Sequence, residues 1–131
     1  MEELLSWIDD LVAVERLPWR RKGRRVRISL SRDGRSQIVH LARQRDRYVL
    51  SSVIAHVSAV NEDRRSLAYR LWRRNALKAV VTFLIDHRER VVGRIEQPIE
   101  SLHDKELKFY LETLARECDR LEYILTGADT R

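Results

Sequence analysis

The spacing of apolar residues changes several times along the chain, and each change marks an element. Over residues 2–14, Leu4, Ile8, Leu11 and Val12 recur on one helical face, with Leu5 and Trp7 beside them. Glu2, Glu3, Asp9 and Asp10 supply the polar side, so the pattern predicts an amphipathic helix. Its early acids suit the partial positive charge of a helix N-terminus. Pro18 comes next, where a helix cannot easily continue. From Arg25 the period becomes two: Val26, Ile28 and Leu30 alternate with Arg27 and Ser29, as in a strand with one buried face. Asp33-Gly34 is a turn pair. Ile38, Val39 and Leu41 then mark a second strand over 35–43. Tyr48, Val49, Leu50, Val53, Ile54 and Val57 mark a third over 47–57. The connections are too short for parallel crossovers, so these three strands form an antiparallel meander.

Asn61-Glu62-Asp63 opens a second helix, with Asn61 or a neighbour as its cap. Leu67, Ala68, Leu71, Trp72 and Asn75 share its inward face. A polar side chain there needs partners. The Asn75 amide is therefore expected to bond backbone where the helix hands over to the next strand. That strand is the apolar, β-branched run 79–85. Asp86–Glu89 turns the chain into a fifth strand over 90–97, in which Gly93 allows a bulge or a close approach. Pro98 ends it. Ser101-Leu102-His103-Asp104 reads as a capping sequence. Leu107, Leu111, Leu114, Cys118, Leu121 and Leu125 then stripe a long helix over about 103–125. Gly127 is its stop, and the last few residues are expected to fray. The predicted architecture is α+β: an antiparallel five-stranded sheet with helices packed on it, in the order α-β-β-β-α-β-β-α. It forms a single domain over residues 1–131.

Charge adds a feature that periodicity lacks. The net charge is +6, but residues 1–78 carry 18 Lys and Arg against 9 Asp and Glu, and residues 79–131 carry 8 against 11. Such asymmetry marks a surface for nucleic acid or an acidic partner, or else a solvated arginine-rich surface. The excess peaks over residues 16–27, where Arg16, Arg20, Arg21, Lys22, Arg24, Arg25 and Arg27 surround Trp19. Arginine binds phosphates and carboxylates bidentately. Trp19 either stacks on a base, packs on a protein partner, or anchors the segment into the core while the arginines stay solvated. Arg16, Trp19, Arg20, Arg21 and Arg24 are the candidate partner-binding residues.

Candidate chemistry is sparse. A lone cysteine, Cys118, permits no disulfide within the chain, and it falls on an apolar stripe. His40, His56, His87 and His103 lack zinc-ligand spacing, although His40 and His56 stand on two strands that could bring them together. The four glycines are isolated, so no phosphate loop exists, and no Gly-x-Ser-x-Gly elbow is present. No catalytic, metal or cofactor site is expected. The first residues lack the pattern of a secretory signal, and no stretch approaches the ~18 apolar residues of a membrane span. A cytoplasmic address is expected.

The order of elements resembles the type III secretion chaperone-like superfamily, and within it the YbjN-like group. The resemblance rests on Leu71-Trp72-Arg73-Arg74-Asn75-Ala76 leading into 79–85, the turn Asp86–Arg90, the strand Val91–Gln97, and Pro98-Ile99-Glu100-Ser101-Leu102. The helix bearing Leu107, Leu111, Leu114, Cys118 and Asp119 completes it. The resemblance implies a dimerising, non-enzymatic module, chaperone-like or regulatory, that binds a protein or peptide segment. Secretion chaperones are typically acidic and this chain is basic, which favours the YbjN-like side. The alternative is a nucleic-acid-binding module that uses the Arg-rich segment 16–27.

Overall fold

Pro18 stops the first helix, and a strand begins at the very next residue. In the computed structural model, which describes residues 1–30, 34–77 and 80–127, α1 (Glu2–Glu15) ends at Arg16. Arg16 adopts a left-handed conformation (φ 52°) and donates its backbone N–H to the Val12 carbonyl. Then come β1 (Trp19–Lys22), β2 (Arg25–Ser29), β3 (Ser36–Gln44) and β4 (Arg47–His56). They are succeeded by α2 (Arg64–Asn75), β5 (Thr82–Ile85), β6 (Arg90–Pro98) and α3 (Asp104–Thr126). The strands form one antiparallel sheet in the order β1-β2-β3-β4-β6-β5.

The sheet therefore has six strands, not the expected five. The added one is β1, inside the segment read as a basic stretch. Trp19 alternates with exposed Arg20, so β1 has a period-two pattern that its run of charge obscures. Gly23 closes the turn: Lys22 pairs with Arg25 across a two-residue loop, and Gly23 sits first in it at φ 60°. That backbone conformation costs glycine nothing and strains other residues.

The buried residues of all three helices join one core on a single face of the sheet, including Leu4 and Ile8 of α1, Leu67 and Leu71 of α2, and Leu107 to Leu125 of α3. The strands add Val26, Ile28, Val39, Leu41, Leu50 and Ile95. Each such side chain contributes roughly 1.5–3 kcal/mol on burial. Gly93 faces α3 from β6, and a Cβ there would overlap the Cys118 sulfur and press on Val81. The close approach expected at Gly93 is thus with the long helix.

Of the positions open as the cap of α2, Asn61 or a neighbour, it is Asp63 that caps it, accepting from the Ser66 N–H at 2.9 Å. Other local details depart from expectation in two places. Ser101 lies in a short 3-10 turn, and α3 starts after His103 with no side-chain cap bond. The run expected as a strand from 79 pairs only from Thr82. Asp33 of the expected turn, Ala79 and the last residues, 128–131, lie outside the described residues. The expectation for Asn75 holds. Its Nδ2 donates to the Phe83 carbonyl and its Oδ1 accepts from the Phe83 N–H, both at 2.8 Å. One side chain thereby covers an outward-facing donor and acceptor of the edge strand β5.

Candidate functional site

The β1–β2 hairpin sorts the basic segment onto two faces. Trp19 pairs with Ile28 and Arg21 with Val26, on the side of the core. Arg20 pairs with Arg27 and Lys22 with Arg25, on the opposite side, and all four of these are exposed. The Ser29 N–H donates to the Pro18 carbonyl at 3.2 Å. Antiparallel pairs alternate between bonded and non-bonded. The backbone groups of Arg20 and Lys22 therefore face β2, and those of Trp19 and Arg21 face outward. β1 is the last strand of the sheet, so among the described residues nothing pairs with that outer edge.

The five residues singled out from the sequence take different places. Trp19 is buried, 5% exposed, and belongs to the core. Arg21 grips Asp9 of α1 with two bonds of 2.6 Å and donates a third to the Gly23 carbonyl at 2.6 Å. The Arg21 bond holds the Asp9 carboxyl below its ordinary pKa, and Asp9 raises that of Arg21 in turn. Arg16 is exposed at the end of α1, and Arg24 is exposed in the turn. Only Arg20 lies on the open face of the strand. There it joins Lys22, Arg25 and Arg27, which were part of the basic segment but not of the candidate set. Reading residues 19–22 with period two would have placed Lys22 beside Arg20, whereas Arg25 and Arg27 join them only through the register of the hairpin.

No described carboxylate comes within ion-pair range of Arg20, Lys22, Arg25 or Arg27. Elsewhere on the same face, Arg90 pairs with Asp86 at 2.8 Å and Arg94 with Glu96 at 3.8 Å. A concavity of about 440 Å³ is lined by the four cations together with Arg21 and Ile38. His40 pairs with Arg25 across the sheet. Its pKa is lowered, first by burial and then by the charges of Arg25 and Arg90.

A different surface lies at the other end of the sheet. On α2, Tyr69 and Trp72 stack with ring centroids 5.9 Å apart, and Trp72 is 65% exposed. Leu77 and Val80 are also exposed. A groove of about 310 Å³ runs between α2 and β5, lined by Ala68, Leu71, Trp72, Phe83 and Leu84.

The histidines do not assemble. His40 faces Ser51 on β4, while His56 lies opposite Arg90, so the two do not meet across the sheet. His56 bonds Ser58 and starts a 3-10 turn. Burial pushes the Cys118 thiol up to about 12, so it carries no thiolate at neutral pH. Among the described residues no group of three His, Cys, Asp or Glu is placed to hold a metal, and no helix is long and apolar enough to cross a membrane.

Solved structures share this architecture over nearly their whole length. A chain of the ExsC–ExsE complex superposes with a TM-score of 0.66 at 14% identity, covering 98% of this chain and 97% of its own. The Yersinia pestis type III secretion chaperone SycH, in complex with a stable fragment of YscM2, gives 0.59 at 14% identity, covering 88% and 97%. YbjN from E. coli gives 0.59 at 13% identity, covering 95% and 90%. The chain has the type III secretion chaperone-like fold, shared with YbjN. No protein-family model matches it, and no curated protein matches it. Within this secretion chaperone-like fold, the cationic hairpin and the aromatic α2 surface occupy opposite ends of the sheet.

Proposed function

We propose that this chain is a chaperone-like protein-binding module, without catalytic activity, that pairs with a second copy through α2 and holds a segment of a partner protein at the β1 end of its sheet. The observation that carries the reading is the pair of unfilled surfaces at opposite ends of a fold whose solved relatives include a chaperone in complex with a protein fragment. At the β5 end, exposed Tyr69, Trp72, Leu77 and Val80 supply the aromatic and apolar content typical of an interface core. At the β1 end, the outward backbone of Trp19 and Arg21 fits an extended segment added as a strand. Arg20 lines that edge, Arg16 and Arg24 flank it, and Arg21 and Trp19 hold it in place. The exposed cations also fit phosphates, but a nucleic-acid site without sequence preference uses exposed rings for stacking, and Trp19 is buried.

Two measurements test this. Light scattering is expected to give twice the chain mass for the wild type and the single mass for Trp72→Glu, with unchanged circular dichroism. Selection from a peptide-display library, then amide exchange on the selected complex, is expected to show protection of the Trp19 and Arg21 N–H groups. A monomeric wild type would remove the dimer. Selected peptides that leave both amides exchanging freely would remove the β1 site.

A further inference from the structure

Arg20 sits directly opposite Arg27, and Lys22 directly opposite Arg25, on the same face of two neighbouring strands. Like charges in directly opposed positions destabilise a sheet. Two such pairs side by side, with no described acid in range, concentrate uncompensated positive charge on one four-residue strip. Elsewhere on that face Arg90 is paired with Asp86 and Arg94 with Glu96. The strip is also next to the open edge of β1, so whatever occupies that edge must meet its charge.

We propose that the open face of the β1–β2 hairpin reads acidic side chains at alternate positions, so that the partner is an extended protein segment with carboxylates at i and i+2. This rests on the reading of β1 as a segment-binding edge and names what that edge selects. A strand added beside β1 would lie about 4.8 Å away. Its alternate side chains point to opposite faces. Those opposite Arg20 and Lys22 emerge on the cationic face, where Arg27 and Arg25 reach across from the next strand. Side chains between them emerge toward Arg21 and Trp19, where Arg21 is already held by Asp9. Carboxylates on one face and uncharged residues on the other satisfy both. Block placement of the same acids puts half of them on the wrong face. The same charges keep a second copy of this chain off the edge, because a β1–β1 pairing would oppose cation to cation.

The test uses the full-length protein and three short synthetic peptides: Glu and Val in alternation, the same residues in blocks, and Thr in place of each Glu. Fluorescence anisotropy reads binding at about 50 and about 300 mM salt, which brackets weak and strong screening. The alternating acidic peptide is expected to bind at least about tenfold more tightly than either other peptide, with the advantage shrinking at high salt. Arg25→Glu, and separately Arg20→Glu, are expected to abolish the preference. Arg88→Glu, an equal charge change in an exposed turn, is expected to keep it. Equal binding of the Thr peptide or the block peptide overturns the acid-reading strip while leaving the segment-binding edge standing. Failure of all three peptides overturns both. Tighter binding of a single-stranded oligonucleotide of matched charge than of the alternating peptide overturns the proposal and assigns the strip to phosphates.

Discussion

The two ends of the sheet solve the same physical problem in opposite ways. A terminal strand leaves backbone donors and acceptors unpaired, which invites another strand. At the β5 end, Asn75 reaches from α2 and takes both the N–H and the carbonyl of Phe83, and α2 packs alongside. The edge is closed there, while the surface beside it stays aromatic and exposed. At the β1 end no described strand pairs with the edge, and the surface beside it is charged. The closed end lacks free backbone at Phe83 and offers apolar area, which suits a side-chain interface. The open end offers backbone and charge, which suits an extended, oppositely charged segment. Two tryptophans mark the contrast: Trp19 is 5% exposed and Trp72 is 65% exposed.

The largest expected effect separates those tryptophans. Trp19→Ala removes a core ring and is expected to cost about 3–5 kcal/mol in denaturant unfolding. Trp72→Ala is expected to leave the stability of the isolated chain nearly unchanged, within about 0.5 kcal/mol. Equal losses for both would erase the distinction between an anchored and a presented ring. Next comes the closed edge. Asn75→Ala leaves two part-buried backbone groups at Phe83 without their partner and is expected to cost about 1–3 kcal/mol. It should also raise the tendency to aggregate, read by light scattering on warming. A smaller effect of opposite sign is expected at the open end. Arg27→Glu turns a like-charge pair with Arg20 into an attractive one, and should stabilise the chain by about 0.2–1 kcal/mol. A chain stabilised by removing a charge that its partner needs is the expected signature of a binding surface.

The smallest effect is a pH dependence. His40 has a depressed pKa, because burial and the neighbouring Arg25 and Arg90 disfavour its charged form. Its ordinary value is 6.5, so the unfolded chain takes up this proton before the folded chain does. Stability from this group is present above pH 6.5 and is lost as pH falls below it. His40→Asn should flatten that part of the stability profile in denaturant titrations between neutral and mildly acidic pH. An unchanged slope would show that His40 does not feel the cationic face.

Much of this was legible in the chain. The three helices and the strands from Arg25 onward come from runs in which apolar period and polarity agree, but the order of elements lacked β1. Leu107 to Leu125 is the clearest such run, and α3 tracks it closely. Asn75 was legible because a polar residue on an apolar helical face must find partners. β1 was missed because it is short and three of its four residues are cationic, so its single buried ring carries too little signal. The same opacity scattered the candidate site. Along the chain, Arg20 and Arg21 are neighbours in one basic stretch. In the fold they point to opposite faces, and one is bound to Asp9 while the other meets no described acid. Conversely, Arg25 and Arg27 read as the polar side of a strand, and nothing in their spacing shows that Lys22 and Arg20 stand opposite them.

The sequence by itself determined the class of fold, most of the positions that form its core, and the excess of positive charge in its first half, although Trp72, read on the inward face of α2, is exposed. These are local or additive properties: period is set by backbone geometry, and net charge is a sum. The tertiary structure alone decided which end of the sheet is closed, which arginines are neutralised, and which four cations face one another. Those outcomes depend on strand register and on contacts between residues on separate elements, such as Asp9 with Arg21. A one-residue change of register would send each of these side chains to the other face.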